Sequence, residues 1–519
     1  MGREFGDIPL AVSAFPSVKG TQNLRDGCKR INELRETTKQ SKGADVRGEC
    51  NLRRPSDFAK SERVHIFLPP MVRLTWQRRL VKASKAVLLK TDPRSFTDSA
   101  AGTPAVAPMN IGIFVTFVKP NSPSQARLQK AIFNGLAKVG SERFRFIVFS
   151  LDSSPMPVEG GFVHHPVARY SHWEEVANRL RVIVGRVLRG AWELTTGASG
   201  GRTWNYLGRL SNFEPKHFQQ MRDLNIRLLW NMNQHELKVP IPFMRTVWEA
   251  NHRICPMYPE YSYTVYGFDG LDARMAESLA RASYVITGTV EGKRQLVEML
   301  GVYEDKVRVI PFPAPILPDP KSALMQSGRY ILYPARFWPH KNHVVILEAL
   351  KFLKQDHSIE LPCVFTGADQ GNLAYVLRYA ERLGIQELID YRGEVTDVEL
   401  AALYKGAVAL VYASAVGPDN LPPLEAMTLA CPVITADVPG AREQYGDAAL
   451  YFGPADQSSL ANLLLTLLGD SRIRPQQIAR GKARIDKLNG DNYATRVMVI
   501  LDEFSAIARA WERCDNKFT

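Results

Sequence analysis

Two successive strings of short apolar runs, each run separated from the next by a helix-length stretch or a turn, constrain this chain more than any other feature. In the first string, NIGIFVTF (110–117), FRFIVFSL (144–151), IRLLWNM (226–232), RTVWEA (245–250) and YVITGT (284–289) read as strands. SQARLQKAIFNGLAKVG (124–140), GLDARMAESLARA (270–282) and GKRQLVEMLG (292–301) read as helices. Continuous apolar strands alternating with amphipathic helices predict a parallel sheet covered on both faces. Five prolines between 311 and 320 interrupt the rhythm and read as a linker. The rhythm then restarts in RYILYPAR (329–336), LPCVFTGA (361–368), IDYRGEV (389–395), AVALVYAS (407–414) and CPVITAD (431–437). The expected fold class is therefore α/β, with two Rossmann-like, doubly wound domains facing across a cleft. Ligands of such sheets collect at the carboxyl ends of the strands.

The expected boundaries are a basic N-terminal extension over 1–108, a first domain over 109–312, a second over 313–490, and a C-terminal helix over 491–519 crossing back to the first domain. The extension holds 20 Lys and Arg against 11 Asp and Glu, most of the net charge of +13. Residues 1–60 lack periodicity and read as loop or disorder. Within 71–90, Val72, Trp76, Leu80, Ala83 and Val87 recur at helical spacing beside six cations and no anion. Such a helix suits either an anionic membrane surface or a packed position with a solvated basic face. The absence of an apolar run of about 18 residues argues against a membrane span, and the first twenty residues lack the pattern of a secretory leader. The expectation is a cytoplasmic chain, peripheral at most on the membrane face. The six cysteines form no C-x-x-C pair, so neither a zinc site nor a disulfide framework is expected. The basic residues are not interleaved with aromatics in any recognised nucleic-acid-binding pattern, so nucleic acid is not an expected partner.

Two loops carry candidate chemistry. In YPARFWPHKNH, Arg336 ends a strand and Lys341 lies at the start of a helix. Two cations there can grip an anion, or form a solvated basic loop. In VGPDNLPPLEAM (416–427), Asn420 reads as an N-cap before a helix beginning near Leu421 and Pro422, leaving the Leu421 and Leu424 N–H groups free for an anion. Glu425 is then either an acid favoured by the helix dipole or a carboxylate accepting hydrogen bonds from a vicinal diol.

The tandem α/β pattern, R-x-x-x-x-K, the TG at Thr366 and Gly367, RGEVTDVELAALY and PPLEA followed by CPVITADVPGAREQYGDAALYF together resemble glycosyltransferase family 4 of the GT-B fold. The resemblance is strong over 329–455, moderate over about 230–315, weak over 109–230 and absent in the leader. It implies a retaining, metal-independent hexosyltransferase, with mannosyl among the hexosyl groups it allows, acting from a nucleotide-diphosphate sugar on a glycan or lipid-linked glycan in cell-surface polysaccharide synthesis. It implies that Arg336 and Lys341 bind the diphosphate, that Glu425 holds the ribose, and that Gly367, Gly393, Glu394 and Val395 lie by the nucleotide, with Asp419, Asn420, Leu421 and Pro422 on the phosphate and sugar side. A nucleotide-sugar-binding protein without turnover is the alternative.

The sequence departs from the family at Gly417, where a glutamate is usual. Trp248 and Glu249 stand at the usual His-Asp positions, and Glu249 and His252, three residues apart, are candidates for sharing a cleft-facing side; His252 is equally a satisfied loop histidine. His235 is a further candidate. Lys119, Asn121 and Ser122 replace the glycine-rich loop after the first strand.

Overall fold

The computed structural model describes residues 107–115, 123–150, 162–169, 171–196, 215–232, 237–262, 267–320 and 329–512. Two compact units divide the chain, Met1–Gly102 and Thr103–Thr519, and every described residue belongs to the second. The cationic segment 71–90, the candidates Lys119, Asn121, Ser122 and His235, and three of the cysteines lie outside the described residues.

Seven strands form the first sheet: β1 (Met109–Val115), β2 (Phe144–Ser150), β3 (Val163–Pro166), β4 (Ile226–Asn231), β5 (Phe243–Thr246), β6 (Tyr284–Thr287) and β7 (Val307–Val309), in the order β3-β2-β1-β4-β5-β6-β7. The second holds β8 (Ile331–Pro334), β9 (Cys363–Thr366), β10 (Ile389–Tyr391), β11 (Ala409–Tyr412), β12 (Val433–Ala436) and β13 (Leu450–Phe452), in the order β10-β9-β8-β11-β12-β13. All pairings are parallel. Burial on both faces explains why the strands read as unbroken apolar runs. Strand order reverses between β1 and β4 in one sheet and between β8 and β11 in the other, and these reversals open the crevices where doubly wound sheets hold ligands.

The helices that shape the site are α1 (Pro123–Val139), α2 (His172–Thr196), α3 (Val290–Leu300), α4 (His343–His357), α5 (Asp397–Gly406), α6 (Pro422–Thr428) and α7 (Gly490–Glu512). The sequence anticipates α1, α3, α4, α6 and α7, but not α5, nor α2, which follows a stretch without a clear strand signal. Helix α7 packs on α1, where a side chain at Gly135 would collide with the Gly490 carbonyl at 2.0 Å. Tyr493, Val497, Leu501 and Phe504 thereby enter the apolar core beneath the first sheet with Ile111, Leu128 and Trp230. The proline-rich stretch is more than a linker. Phe312 is buried against Trp248, with ring centroids 4.4 Å apart, and the Ala314 N–H donates to the Leu488 carbonyl at 2.7 Å.

Candidate active site

The second sheet's carboxyl edge gathers the cation pair. After β8 the chain turns through Arg336 and a short 3-10 turn, Pro339–Lys341, before α4. Tyr333 Oη donates to the Lys341 carbonyl at 2.6 Å and fixes that turn. Lys341 Nζ donates to Tyr412 Oη at 3.1 Å and to Ser414 Oγ at 3.3 Å. Tyr412 ends β11 and Ser414 follows it, so the ammonium sits at the strand-order reversal. Arg336 is half-buried and, among the described residues, makes no side-chain hydrogen bond or ion pair. Gly367 and Gly393, at φ +132° and +66°, close the neighbouring loops, with the Gly367 N–H donating to the Gly393 carbonyl at 2.7 Å. Glu394 is exposed and Val395 half-buried on the same edge.

Glu425 lies at the same edge but is only 1% exposed, and its partners come from both domains. Arg127 of α1 donates to Glu425 Oε1 through Nε at 3.1 Å and Nη2 at 2.8 Å, while Nη1 reaches Asp397 of α5 at 2.6 Å. Tyr404 Oη donates to Glu425 Oε2 at 3.0 Å. A carboxylate offers about four lone-pair sites, and three are used. A vicinal diol needs two, so it can be gripped by Glu425 only if one Arg127 contact gives way. Although burial opposes it, the Arg127 guanidinium is held protonated by Glu425 first and Asp397 second. Sequence reasoning did not single out Arg127; the only local signal is a cation inside a helix whose neighbours Leu128, Ala131 and Ile132 are all buried.

The loop ahead of Glu425 is built differently from the expectation. Gly417 sits at φ +109°, and a side chain there would meet the Asn420 amide at 3.0 Å. A glutamate at this position would be strained, which gives the sequence departure a backbone cause. Asn420 is not the helix cap. Its Oδ1 accepts from Tyr412 Oη at 2.9 Å and its Nδ2 donates to the Gly417 carbonyl at 2.7 Å, while Leu421 occupies the cap position in helical geometry. The Leu421 side chain is buried in the core beneath the first sheet, and Pro422 is half-buried at the first position of α6. Asp419 points away from the cation pair into the first domain. It accepts from the Gly288 backbone N–H and meets the Thr289 hydroxyl at the start of α3. Its Oδ2 has no partner within hydrogen-bonding distance. Burial pushes its carboxyl well above the usual carboxylate range, helped by Glu443 and Glu249. Glu443, also from the second domain, accepts from the Val290 N–H at 2.6 Å on the same helix terminus.

The first domain contributes Glu249 and His252, and the structure gives them different partners. Glu249 is half-buried, is hydrogen-bonded by Asn251, and lies within electrostatic reach of Lys341 across the cleft; burial raises its pKa while Lys341 and Asn251 hold it down. His252 is buried, pairs through Nε2 with Asp272 Oδ1 at 3.0 Å, and packs on Phe268. Asp272 holds the imidazole at the helix Gly267–Arg281. Another cross-domain contact was not anticipated: Glu260 accepts from both the backbone N–H (3.1 Å) and the ring Nδ1 of His340. Burial first, then Lys341 and His343, lower His340 to about 2, so this is a hydrogen bond of a neutral imidazole.

Two parallel sheets, a cation pair at one strand-order reversal and carboxylates reaching across the cleft define a GT-B protein. Residues 319–484 match the family described as glycosyl transferases group 1. The chain is 26% identical over 254 residues to the O-antigen chain mannosyltransferase B of Escherichia coli, covering 47% of this chain and 66% of that one. It is 28% identical over 225 residues to the O-antigen chain mannosyltransferase RfbU of Salmonella typhimurium, covering 42% and 60%. The match thus spans less than two thirds of either relative. Among solved structures, Anabaena HepE in complex with UDP-glucose superposes with a TM-score of 0.52 at 14% identity, covering 77% of this chain and all of that one. Sucrose-phosphate synthase of Thermosynechococcus elongatus gives 0.51 at 15%, with the same coverage of both chains. At such identities the likeness is one of fold.

Proposed function

We propose that the protein is a retaining, metal-independent glycosyltransferase that moves a hexosyl group, mannosyl by preference, from a nucleotide-diphosphate sugar to a hydroxyl of a glycan or lipid-linked glycan in cell-surface polysaccharide synthesis. The observation that carries this is the Arg336 and Lys341 pair at the reversal between β8 and β11, with Arg336 lacking a protein anion among the described residues. The O-antigen mannosyltransferase relatives support the sugar and the pathway class. In this reading the bond from the anomeric carbon to the diphosphate oxygen breaks, and the acceptor hydroxyl oxygen bonds to the same face of that carbon. The hydroxyl proton passes to the departing phosphate. Charge grows on the diphosphate as it leaves, and two preorganised cations stabilise that change. Glu249 faces Lys341 from the acceptor side, while His252 holds the surrounding loop through Asp272. Glu425 takes the ribose by releasing part of its grip on Arg127, and the glycine turns at Gly367 and Gly393 line the nucleotide with Glu394 and Val395. Asn420, Leu421 and Pro422 shape the phosphate-side loop rather than donating to it through their side chains.

A second reading, binding of a nucleotide sugar without turnover, is favoured by Gly417 and by the engagement of Glu425 with Arg127. A transfer assay separates the two. Lys341→Ala should lower kcat by about 10²-fold, the scale of one lost electrostatic contact to a developing anion, and weaken donor binding by less. Binding with no detectable transfer by the unaltered protein would favour the second reading instead.

A further inference from the structure

Helix α2 presents an apolar stripe that nothing in the site requires. Trp173, Leu180, Val184, Val187 and Leu194 recur at spacings of seven, four, three and seven, which stacks them along one face. All are exposed, Trp173 at 79%, Val187 at 64% and Leu194 at 89%. Ile183 and Leu188, also exposed, widen the stripe on either side. Gly185 is buried and Val182 and Trp192 are half-buried, marking the face turned toward the protein. Single exposed apolar side chains are ordinary. Half of the large ones exposed among the described residues, however, lie on this one helix, in a row about 32 Å long at 1.5 Å per residue. Contiguous apolar surface of this extent marks an interaction site.

The charge pattern selects the partner. Between Val176 and Trp192 the helix carries Arg179, Arg181, Arg186 and Arg189 and no carboxylate; its acids stand outside that stretch, at Glu174, Glu175 and Glu193. No helix among the described residues is long and apolar enough to cross a membrane, and α2, with four arginines in its middle, is not such a helix. A helix with an apolar stripe and arginines through its length suits the plane between headgroups and acyl chains of an anionic bilayer. We propose that α2 is a membrane-docking element, lying flat on an anionic lipid surface with Trp173, Leu180, Val184, Val187 and Leu194 inserted. This assigns the lipid contact to the first sheet domain rather than to residues 71–90, and it holds whether or not the transfer reading does.

The test is flotation of the full chain, without nucleotide, on vesicles of phosphatidylcholine alone and of phosphatidylcholine with phosphatidylglycerol. The unaltered protein should float with the anionic vesicles and be released progressively by salt. A Leu180→Glu/Val187→Glu variant should partition at least about tenfold more weakly while keeping its melting temperature, since both side chains are exposed. Equal binding to neutral vesicles overturns the proposal. So does full binding by the variant, which would place the lipid contact elsewhere in the chain. An unaltered protein that self-associates and ignores vesicles, with a variant that does not self-associate, also overturns it and shows that the stripe covers a second copy.

Discussion

Replacing Arg127 with methionine is the most informative perturbation of the closed cleft, because this side chain bridges two domains through a buried ion pair. Arg127 is 4% exposed and Glu425 1%, so the variant would leave a buried carboxylate with, among the described residues, only the Tyr404 hydroxyl as side-chain partner. Breaking one side of a buried pair costs about 3–5 kcal/mol. The Asp397 contact adds little, since that carboxylate is 41% exposed and exposed pairs contribute about 0–1 kcal/mol. Arg127→Met should therefore lose about 3–5 kcal/mol in urea unfolding. Combining it with Glu425→Gln should recover most of that loss, because the stranded charge is gone. A single-variant loss below about 1 kcal/mol, the range of a surface pair, or a double variant no more stable than the single one, would refute the reasoning.

Two further outcomes follow from the loop before Glu425. Gly417→Glu, which restores the residue usual in the resembled family, should destabilise the protein by about 1–3 kcal/mol and fail to raise transfer, because φ there is +109°; calorimetry and the transfer assay check both halves. Asp419 has a raised pKa in the folded protein, so folding binds a proton that the unfolded chain releases above about 4. Its contribution is complete below that pH and is lost as pH rises toward the folded pKa. The melting temperature of the Asp419→Asn variant should fall less between pH 4 and 8 than that of the unaltered protein, and parallel profiles would count against a buried protonated acid.

Much of this architecture was legible in residue patterns, for identifiable reasons. Runs such as Ile111–Val115 and Leu228–Trp230 are buried on both faces, so apolarity alone marks them. Strands β3, β7 and β13 were not read from the sequence; β3, VHHP, has two histidines among its four residues and so lacks an apolar run. The cation pair at Arg336 and Lys341 was visible because strand end, loop and helix start adjoin in sequence. The contacts that close the cleft were not: Arg127 and Glu425 lie 298 positions apart, Glu260 and His340 lie 80 apart, and Asp419 finds its partner only at the start of α3. No local pattern states which distant group a buried charge will meet. Likewise, loop sequence showed that Gly417 departs from the family, but only the backbone angle shows why.

The central claim is that the edge bearing Arg336, Lys341 and Glu425 holds a nucleotide diphosphate. The direct measurement is the melting temperature of the full chain with GDP, UDP and ADP in turn, repeated with Lys341→Ala and Glu425→Ala. One diphosphate should stabilise the unaltered protein by about 2.7 kcal/mol at a hundredfold excess over its Kd, and both variants should lose most of that shift. Absence of a shift with every diphosphate, or a shift in both variants as large as that of the unaltered protein, would contradict the account.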